Sequence, residues 1–432
     1  MTIGINIKPL QSGHRMRGIG SVIINLINNL SPADRKKHNF IFYMAKDKDE
    51  DEALGLLNLG GLDYRVHYLP KPRALLGFRL PGRLNLLVIL ANKGFGFARL
   101  NRGMTLPQHH DLDVYLHTDQ SENLPGGRGF KKVMIAYDII PYVLEWEYLN
   151  SFRTLRRRGY RPRTAFRVSL SRWGYKQRLE ANIRRVDRIL AISSATKDDF
   201  IKYMGASARK IEVVHLGVTP PAKQSSDAPG FRYLPTSWGY FKRERKFDTD
   251  TPFLLYVGGA DPRRKLDDLV TAFNHLRAEG QDIKLVLVGD TLQGPKTIPT
   301  LPIQTALDSS SYIDDIIFLG FVDEEVRNWL YEHALAFVYP STYEGFGLPV
   351  LESMAHGCPV ICYDTAAVRE VAGDLPHYAE DAEDIRQLTL KLLDSKPEAR
   401  RKLQAAGLAH SRKFTWAKTA AKVMSALEEA AA

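Results

Sequence analysis

The sequence predicts an α/β protein with two doubly wound, Rossmann-like domains that face each other across a cleft. Short apolar segments with strand character alternate with amphipathic helical segments, a pattern that favours parallel sheets. The alternation stops at a stretch rich in Pro, Ser and charge and then starts again, as expected of a second domain. The length of 432 residues agrees with this, because one domain typically has about 100–200 residues. Ligands of such sheets bind beyond the carboxyl ends of the strands, so we expect the site in the cleft.

The first domain is predicted over residues 1–218 and the second over residues 253–412. Strands are expected at IGINIK, NFIFYMA, VMIAYDII, RILAIS and IEVVHLG in the first domain, and at FLLYVGG, IKLVLVGD, IIFLGFV, AFVYPS and VICYD in the second. Residues 219–252 have no sustained hydrophobic period and are interpreted as a linker. We expect residues 413–432 to form a helix that returns to the first domain, because their apolar residues follow helical spacing and need a packing partner. The apolar residues of this stripe are Trp416, Ala420, Val423 and Leu427.

The composition indicates a folded protein with an anionic partner. A hydrophobic content of 44% is enough for packed cores. The net charge of +11 favours a nucleotide, a lipid headgroup or a nucleic acid as partner. Cys358 and Cys362 lack the second pair that a zinc site of this spacing needs, so we expect buried thiols in a reducing compartment. The chain shows no leader-like apolar start and no apolar run near the ~20 residues of a membrane span, which predicts a cytoplasmic protein without transmembrane helices.

The stretch YEGFGLPVLESMAHGCPVI places two glutamates around a glycine-containing turn between a strand and a helix. Glycines let the backbone approach a ligand, and Pro349 suits the first turn of a helix. The amide groups and the positive end of that helix would form an anion site that fits a diphosphate. Carboxylates beside it would accept hydrogen bonds from sugar and ribose hydroxyls, so the stretch predicts a nucleotide-sugar site. The predicted donor-binding residues here are Gly345, Phe346, Gly347, Leu348 and Glu352, with Glu344 as a catalytic candidate.

The segment EGFGLPVLE resembles the Glu-x7-Glu signature of the family-4 retaining glycosyltransferases of GT-B fold, and MAHGCPVI fits the same pattern. The resemblance implies that Glu352 binds the nucleotide ribose and that Glu344 contacts the transferred sugar. It also implies a metal-independent transfer with retention, in which the leaving phosphate takes the acceptor's proton. The alternative is a strand, turn and helix with a purely structural role.

The segment YVGGADPRRKLDDLVTAF resembles the family's Gly-Arg…Lys-Gly segment in the form of its mannosyl- and rhamnosyltransferase-like members. Gly258 and Gly259 are predicted to bind the donor, and Arg263 and Arg264 to neutralise the charge that develops on the leaving diphosphate. Gly259 stands where an arginine is usual and Arg264 where a lysine is usual. Arg263 could supply the missing guanidinium, and Lys265 is a spare cation. The alternative is a solvated run of charges at a helix end.

The amino-terminal segment KPLQSGHRMRGIGSVIINL resembles the family's Gly-Ile-Gly loop. Gly18 and Gly20 would then let the backbone approach the donor from the opposite domain. His14 and Arg17 are candidates for contact with phosphate or acceptor, although a basic loop without such a role is an equal alternative.

The segment KVMIAYDIIPYVLE resembles one that usually reads Ile-His-Asp-Leu-Ile-Pro. Asp138 keeps its place and is a catalytic candidate, while Tyr137 replaces the histidine that contacts the donor sugar in the family. A phenol can bond a hydroxyl but carries no positive charge near neutral pH. His117, at an earlier strand end, is a second candidate for sugar or acceptor contact; a structural role is the alternative.

The segment from Arg153 to Arg188 holds twelve arginines and one lysine against two acids, with aromatic residues between them. It is typical of a surface for nucleic acid or for an anionic membrane, and we favour the membrane. Residues 75–100 add apolar and basic side chains that could seat at the same interface. A solvated helix face with a buried aromatic stripe is the alternative.

The favoured function is a retaining hexosyltransferase that uses a nucleotide-diphosphate sugar, with GDP-mannose first and a rhamnose or glucose-type donor second. The acceptor is expected to be lipid-linked or a polysaccharide in bacterial cell-surface glycan synthesis, such as that of lipopolysaccharide. No cofactor, metal or nucleic-acid partner is expected, and the oligomeric state is not predicted. A nucleotide-sugar epimerase and a basic nucleic-acid-binding protein are the alternatives. A nicotinamide-dependent oxidoreductase is disfavoured, because the chain lacks a strand-linked Gly-x-Gly-x-x-Gly followed by an acid about 20 residues on.

Overall fold

The computed structural model describes residues 1–12, 15, 18–46, 49–69, 111–144, 148, 152–157, 161–220, 232–233, 245–246, 250–289, 292 and 301–432. They divide into two compact units: Met1–Gly217 with Trp416–Ala432, and Val218–Thr415. Each unit is built around a parallel sheet, which confirms the predicted α/β class with two Rossmann-like domains. Residues 75–100 and most of the predicted linker lie outside the described residues.

The first unit has a seven-stranded sheet with the order β3-β2-β1-β4-β5-β6-β7, and all neighbouring strands are parallel. Its inner strands are apolar and buried along most of their length, as in parallel sheets that are covered on both faces. The chain order reverses between β1 and β4, and ligands of such sheets bind beside this reversal. The strands are β1 Thr2–Asn6, β2 Asn39–Ala45, β3 Asp63–Leu69, β4 Val114–His117, β5 Lys131–Ala136, β6 Arg188–Ala191 and β7 Ile211–Val213.

Helices of the first unit begin and end at residues that suit these positions. The Ser193 hydroxyl accepts a hydrogen bond of 2.9 Å from the Thr196 amide and caps one helix, which ends at Gly205 with φ of 63°. Short 3-10 turns cover Lys8–Gln11 and Ala208–Lys210. The helices are Gly18–Asn28, Pro32–Lys37, Glu50–Gly55, Ile140–Val143, Phe152–Arg157, Pro162–Arg185, Ser194–Met204 and Trp416–Ala431.

The helix Trp416–Ala431 belongs to the first unit although it follows the second along the chain. It packs on the helix Gly18–Asn28 and on β4 and β5. The Thr419 hydroxyl donates a hydrogen bond of 2.8 Å to the carbonyl of His215. The stripe predicted from helical spacing is the face that this helix buries, with Trp416, Ala420, Val423 and Leu427.

The second unit has a six-stranded parallel sheet with the order β12-β11-β10-β13-β14-β15. The chain order reverses between β10 and β13, so the loops after these two strands lie side by side at the carboxyl edge. Strands β8 Arg232–Tyr233 and β9 Arg245–Lys246 form a separate antiparallel pair. The sheet strands are β10 Phe253–Val257, β11 Lys284–Val288, β12 Ile316–Gly320, β13 Ala336–Tyr339, β14 Val360–Tyr363 and β15 His377–Ala379.

The second unit carries its helices between successive strands and after the last one. They are Leu266–Ala278, Leu301–Asp308, Glu324–His333, Leu348–Ala355, Ala366–Ala372, Ala382–Leu393 and Pro397–Ser411, with 3-10 turns at Pro262–Arg264 and Ile313–Asp315. Cys358 and Cys362 are buried and unpaired, and burial raises the pKa of both thiols. Within the described ranges, no helix combines the length and apolarity that a membrane crossing requires.

Candidate functional site

The loop between β13 and the helix Leu348–Ala355 forms the centre of the candidate site. Gly347 has φ of 92°, a conformation that glycine adopts at little cost, and the helix begins directly after it. A Cβ atom at Gly347 would lie 3.0 Å from Cγ2 of Val368, so the position also lacks room for a side chain. Pro349 occupies the first turn, as the sequence predicts. The turn therefore presents the amino end of a helix at the carboxyl edge of the sheet.

Glu344 accepts several hydrogen bonds at the centre of this loop. Its Oε1 accepts hydrogen bonds from the hydroxyls of Tyr339 at 2.8 Å and Ser341 at 2.9 Å. The same oxygen accepts a bond from Nη1 of Arg263. Burial by itself raises the pKa of Glu344, but Arg263 and Arg264 hold that pKa below its ordinary value. The carboxylate is thus kept ionised although its side chain is only 10% exposed.

Arg263 ties the loop after β10 to the loop after β13. Its Nη1 also donates to Oγ of Ser341 at 3.1 Å and to the carbonyl of Tyr343 at 2.8 Å. Its own carbonyl accepts the Thr342 amide at 2.8 Å. The sequence predicted that Arg263 binds the donor diphosphate. Its side chain is only 8% exposed, and the hydrogen-bond acceptors around it belong to the protein.

Arg264, the second predicted cation, lies against two tyrosines from neighbouring strands. Its Nη1 is 3.3 Å from the hydroxyl of Tyr256, and its Cζ lies 5.3 Å from the ring centroid of Tyr339. Its Nε is 3.7 Å from Oε1 of Glu344. The guanidinium therefore sits at the carboxyl ends of β10 and β13, between the aromatic rings and the carboxylate.

Gly258 and Gly259, predicted to bind the donor, shape the space around Arg264. Gly258 has φ of 154°, and a Cβ atom there would overlap with Nη1 of Arg264. The carbonyl of Gly259 accepts a hydrogen bond of 2.8 Å from the Tyr256 hydroxyl. Gly258 thus makes room for the guanidinium, which is a physical reason for glycine at this position.

Tyr256 and Tyr339 were not among the residues predicted from the sequence. Both are buried, and their rings stack with centroids 6.3 Å apart. The available signal was a tyrosine at or next to the last position of an otherwise apolar strand, where its hydroxyl can reach the carboxyl edge. Strand propensity alone also explains such a tyrosine, so the signal is weak.

Glu352 lies in the helix Leu348–Ala355 in a different electrostatic setting from Glu344. Burial raises its pKa, Arg327 opposes this effect, and Glu324 adds to it. Nε of Arg327 and Nε2 of His356 are buried without a hydrogen-bond partner among the described residues. Glu352 is therefore a partly buried carboxyl beside polar groups that a bound hydroxyl ligand could satisfy.

The first unit holds its predicted site residues in more structural roles. The Asp138 carboxylate accepts a hydrogen bond of 3.1 Å from the Ile140 amide, just before the helix Ile140–Val143. Tyr137 is buried, its amide donates to Oε1 of Gln120 at 2.9 Å, and burial raises the pKa of its phenol. His117 is fully buried, and burial lowers the pKa of its imidazole. Their contact with sugar or acceptor stays a prediction.

The amino-terminal loop is described only in part. Gly18 and Gly20 open the helix Gly18–Asn28, and a Cβ atom at Gly18 would meet no atom within 4 Å. His14 and Arg17 lie outside the described residues. A donor contact of this loop therefore stays a prediction.

One group of possible metal ligands occurs within the described part of the chain: Asp34, His38 and Glu428. Oε1 of Glu428 already accepts Nζ of Lys37 at 2.6 Å and lies 2.9 Å from Nε2 of His38. An ammonium group this close neutralises the carboxylate that a cation would need. The group joins the helix Trp416–Ala431 to the rest of the first unit.

Two family models match the chain. The model of the glycosyl transferases group 1 matches residues 240–409, and the model of glycosyltransferase family 4 matches residues 108–220. The first match includes both glutamates and both arginines of the candidate site.

Several similar proteins are mannosyltransferases by name. The serotype-specific mannosyltransferase WbdA of Escherichia coli is 26% identical over 315 residues, which are 71% of this chain and 34% of WbdA. The O-antigen chain mannosyltransferase B of Escherichia coli is 29% identical over 53% of this chain and 57% of that protein. The MMP alpha-(1->4)-mannosyltransferase of Mycolicibacterium hassiacum is 28% identical over 60% of this chain and 59% of its own length. This chain thus spans between about a third and three fifths of these relatives.

Solved structures share the fold over nearly the whole chain. Anabaena HepE, in complex with UDP-glucose, aligns over 99% of this chain and 100% of HepE with a TM-score of 0.58 and 14% identity. WaaG, a glycosyltransferase involved in lipopolysaccharide biosynthesis, aligns over 98% of both chains with a TM-score of 0.59 and 12% identity. The shared fold agrees with the family matches and with the motif around Glu344 and Glu352, and the chain belongs to the family-4 glycosyltransferases of GT-B fold.

Proposed function

We propose that this chain is a retaining glycosyltransferase that moves a hexose from a nucleotide-diphosphate sugar to a lipid-linked or polysaccharide acceptor. The observation that carries the proposal is the cluster at the carboxyl edge of β10 and β13. A guanidinium, an ionised carboxylate and the amino end of a helix converge there, and Glu352 lies in that helix. Such a site suits an anionic leaving group attached to a polyhydroxyl ring.

The proposed chemistry develops negative charge on the departing diphosphate. Arg264 and the amino end of the helix Leu348–Ala355 stabilise that charge, while Glu344 accepts hydrogen bonds from hydroxyls of the transferred sugar. Glu352 holds the ribose, a contact that is similar in the ground and transition states. In this proposal no protein nucleophile and no metal ion takes part, and the acceptor attacks from the face that the phosphate leaves.

GDP-mannose is the first candidate donor and a cell-surface glycan the candidate product. The names of the similar mannosyltransferases, two of them from Escherichia coli, support this choice. Because HepE was solved in complex with UDP-glucose, a UDP-sugar is the donor to compare with GDP-mannose.

A panel of nucleotide sugars tests the function directly. We expect one donor to raise the unfolding temperature, because a ligand that binds only the native state stabilises it. Transfer to mannose-containing acceptors is then followed by NMR, which reports whether the anomeric configuration is retained.

Arg264→Ala should lower kcat by about 10²–10³-fold. An isomeric sugar nucleotide formed without acceptor would contradict transfer and indicate an epimerase, and loss of turnover with a chelator would contradict the metal-free step.

The proposed working place is the cytoplasmic face of an anionic membrane, reached through the helix Pro162–Arg185. Phe166 and Trp173 lie seven residues apart, so they share one helix face, and they are 40% and 48% exposed. Arg163 and Arg167 flank them and are also exposed. Exposed aromatic rings between arginines fit an interface of acyl chains and anionic headgroups.

Vesicles containing phosphatidylglycerol test this surface. We expect Phe166→Ser with Trp173→Ser to weaken vesicle binding, and Arg163→Gln with Arg167→Gln to remove its salt dependence. Tyr203→Ser with Lys202→Gln is the matched control, because this exposed aromatic and cation pair lies on another helix of the same unit. Equal vesicle binding by all variants, or a preference for RNA over vesicles, would contradict the membrane role. Arg158 and the side chain of Arg157 lie outside the described residues.

A further inference from the structure

Arg263 and Arg264 are neighbours in one turn, but their guanidinium groups have different surroundings. Nη1 of Arg263 donates to three acceptors of a single loop, namely Ser341, Tyr343 and Glu344. Arg264 makes its one hydrogen bond among the described residues with the Tyr256 hydroxyl. Twice as much of its side chain surface is exposed, 16% against 8%.

We propose that Arg263 is a positioning residue that fixes Glu344 for the transferred sugar, and that Arg264 alone of the two arginines contacts the donor diphosphate. This division of roles rests on the proposed function. It differs from the expectation that both cations neutralise the leaving group.

The contacts and burial of Arg263 favour a positioning role over a contact with the phosphate. A ligand that drew Nη1 away would take the nearest cation from Glu344, whose side chain is 10% exposed, and only 8% of the Arg263 side chain is open to a ligand at all. A buried carboxylate that loses its cation is strongly destabilising. Arg263 also holds the loop by its backbone, since its carbonyl accepts both the amide and the hydroxyl of Thr342.

The two carboxylate oxygens of Glu344 have different surroundings. All of its hydrogen bonds and ion pairs with described residues fall on Oε1. An oxygen that accepts from Arg263, Tyr339 and Ser341 has no further capacity for a ligand. Oε2 is therefore the oxygen that a sugar hydroxyl would reach, and its direction is set by the partners of Oε1.

Arg264 is held so that one edge of its guanidinium can face a ligand. Tyr256 fixes Nη1, and the Tyr339 ring supports the plane of the group. Nη2 has no hydrogen-bond partner within the described part of the chain. The absence of a side chain at Gly258 makes room for Nη1 itself. A donor fixed in this way suits a charge-assisted bond to a phosphate oxygen.

Calorimetry with GDP, GMP, UDP and UMP separates the two arginines. For Arg264→Gln we expect the affinity for the preferred diphosphate to fall roughly 10- to 100-fold more than that for its monophosphate. For Arg263→Gln the ratio of the two affinities should stay within about twofold of the wild-type ratio. An equal fall of the ratio in both variants would overturn the assignment of Arg263. Failure of the wild-type protein to bind either diphosphate would overturn the proposed function as well.

The pH dependence of turnover tests the positioning role itself. Removing the Arg263 charge should raise the pKa of Glu344, so Arg263→Gln should lose turnover at a higher pH than the wild type as the pH falls. Arg263→Lys keeps a charge and should restore most of the wild-type profile. The charged and titratable groups that face Glu344 are Tyr256, Asp261, Arg263, Arg264 and Tyr339.

A stability cycle keeps the proposal testable if Arg263→Gln folds poorly. The double variant Arg263→Gln/Glu344→Gln should unfold at a higher temperature than Arg263→Gln, because it no longer buries a carboxylate that has lost its nearest cation. Unchanged pH profiles, or a double variant less stable than Arg263→Gln, would show that Arg263 does not act through Glu344.

Discussion

Glu344 lies in the loop before the helix Leu348–Ala355, and Glu352 lies in that helix. Their surroundings shift their pKa values in opposite directions. Arg263 and Arg264 outweigh the burial of Glu344 and lower its pKa, whereas burial dominates at Glu352 and raises it. A carboxylate stabilised by cations supports the fold, and one that is desolvated opposes it. Ionised Glu352 therefore lowers the stability of the fold, as is common for binding groups.

We expect the two Gln substitutions to change stability in opposite directions. Ionised Glu344 stabilises the fold above its unfolded pKa near 4.5, and this contribution is lost as the pH falls through the lower folded value. Glu344→Gln should therefore lower the unfolding temperature at pH 7 and have less effect at pH 4. Glu352 has a raised folded pKa, so its unfavourable contribution grows as the pH rises above about 4.5, and Glu352→Gln should raise the unfolding temperature at pH 7.

Thermal unfolding between pH 4 and pH 8, with each nucleoside diphosphate added in turn, measures both effects. Glu352→Gln should at the same time weaken nucleotide binding, since the ribose loses a charged acceptor. A Glu352→Gln variant that is less stable than the wild type at pH 7 would contradict the opposition between the two carboxyls.

Lys265 is the one non-glycine residue with positive φ among the described residues, with φ of 40°. This conformation costs an L-residue such as lysine about 1–2 kcal/mol, and asparagine tolerates it better. We expect Lys265→Asn to increase the free energy of unfolding by about 0.5–1 kcal/mol, measured by urea denaturation. Lys265→Ala removes the charge but keeps the strain, so it is the control and should not stabilise. A loss of nucleotide affinity in both variants would show that Lys265 is a phosphate ligand.

At the scale of elements, the sequence predicted most of the sheet and the turn of the site. Strand segments such as FLLYVGG and AFVYPS are found as β10 and β13, because continuous apolar runs are typical of buried parallel strands. The helix after Gly347 followed from glycine, proline and the small apolar residues beyond them.

The pairing inside the site could not be predicted in the same way. Arg263 and Glu344 are 81 residues apart, and only the adjacency of β10 and β13 brings their loops together. Strand order is a property of the whole sheet, which local patterns do not report. The same holds for Tyr256 and Tyr339, whose hydroxyls face the site only because both strands end at the same edge.

The turn after β10 depends on the absence of a side chain at Gly258. We expect Gly258→Ala to displace Arg264 and to lower nucleoside diphosphate affinity roughly 10- to 100-fold, since one charge-assisted hydrogen bond is lost. Gly280→Ala is the matched control: Gly280 has φ of 85°, but a Cβ atom there meets nothing within 4 Å. It should destabilise by about 1 kcal/mol without a change in affinity. If calorimetry showed that both variants bind the nucleoside diphosphate equally well, that result would contradict the role of Gly258.

At the scale of the whole molecule, the first unit is assembled from two separate stretches of chain. Removing residues 416–432 would expose the apolar surface that Val423 and Leu427 cover. Each such side chain contributes about 1.5–3 kcal/mol when buried, so the loss is comparable with the stability of a domain. We expect the truncated protein to lose the calorimetric transition of the first unit and to keep that of Val218–Thr415.

Glu429→Gln is the control for this truncation. It removes the exposed ion pair with Arg188, at 2.7 Å, and keeps the buried face of the helix, so it should cost less than about 1 kcal/mol. A truncated protein with both transitions intact would show that the helix Trp416–Ala431 is not needed for the first unit.

The divided first unit has a consequence for synthesis on the ribosome. Residues 1–217 are translated first, but the helix that completes their core follows only after Val218–Thr415 has been made. At about 5–20 residues per second, the ~200 intervening residues take roughly 10–40 s. Throughout that time the first unit must wait with the surface for its last helix uncovered, while the second unit is still being made. The part of the chain that is translated first therefore cannot complete its core until residues 416–432 have been made, and we expect chaperones to bind its uncovered apolar surface during that interval.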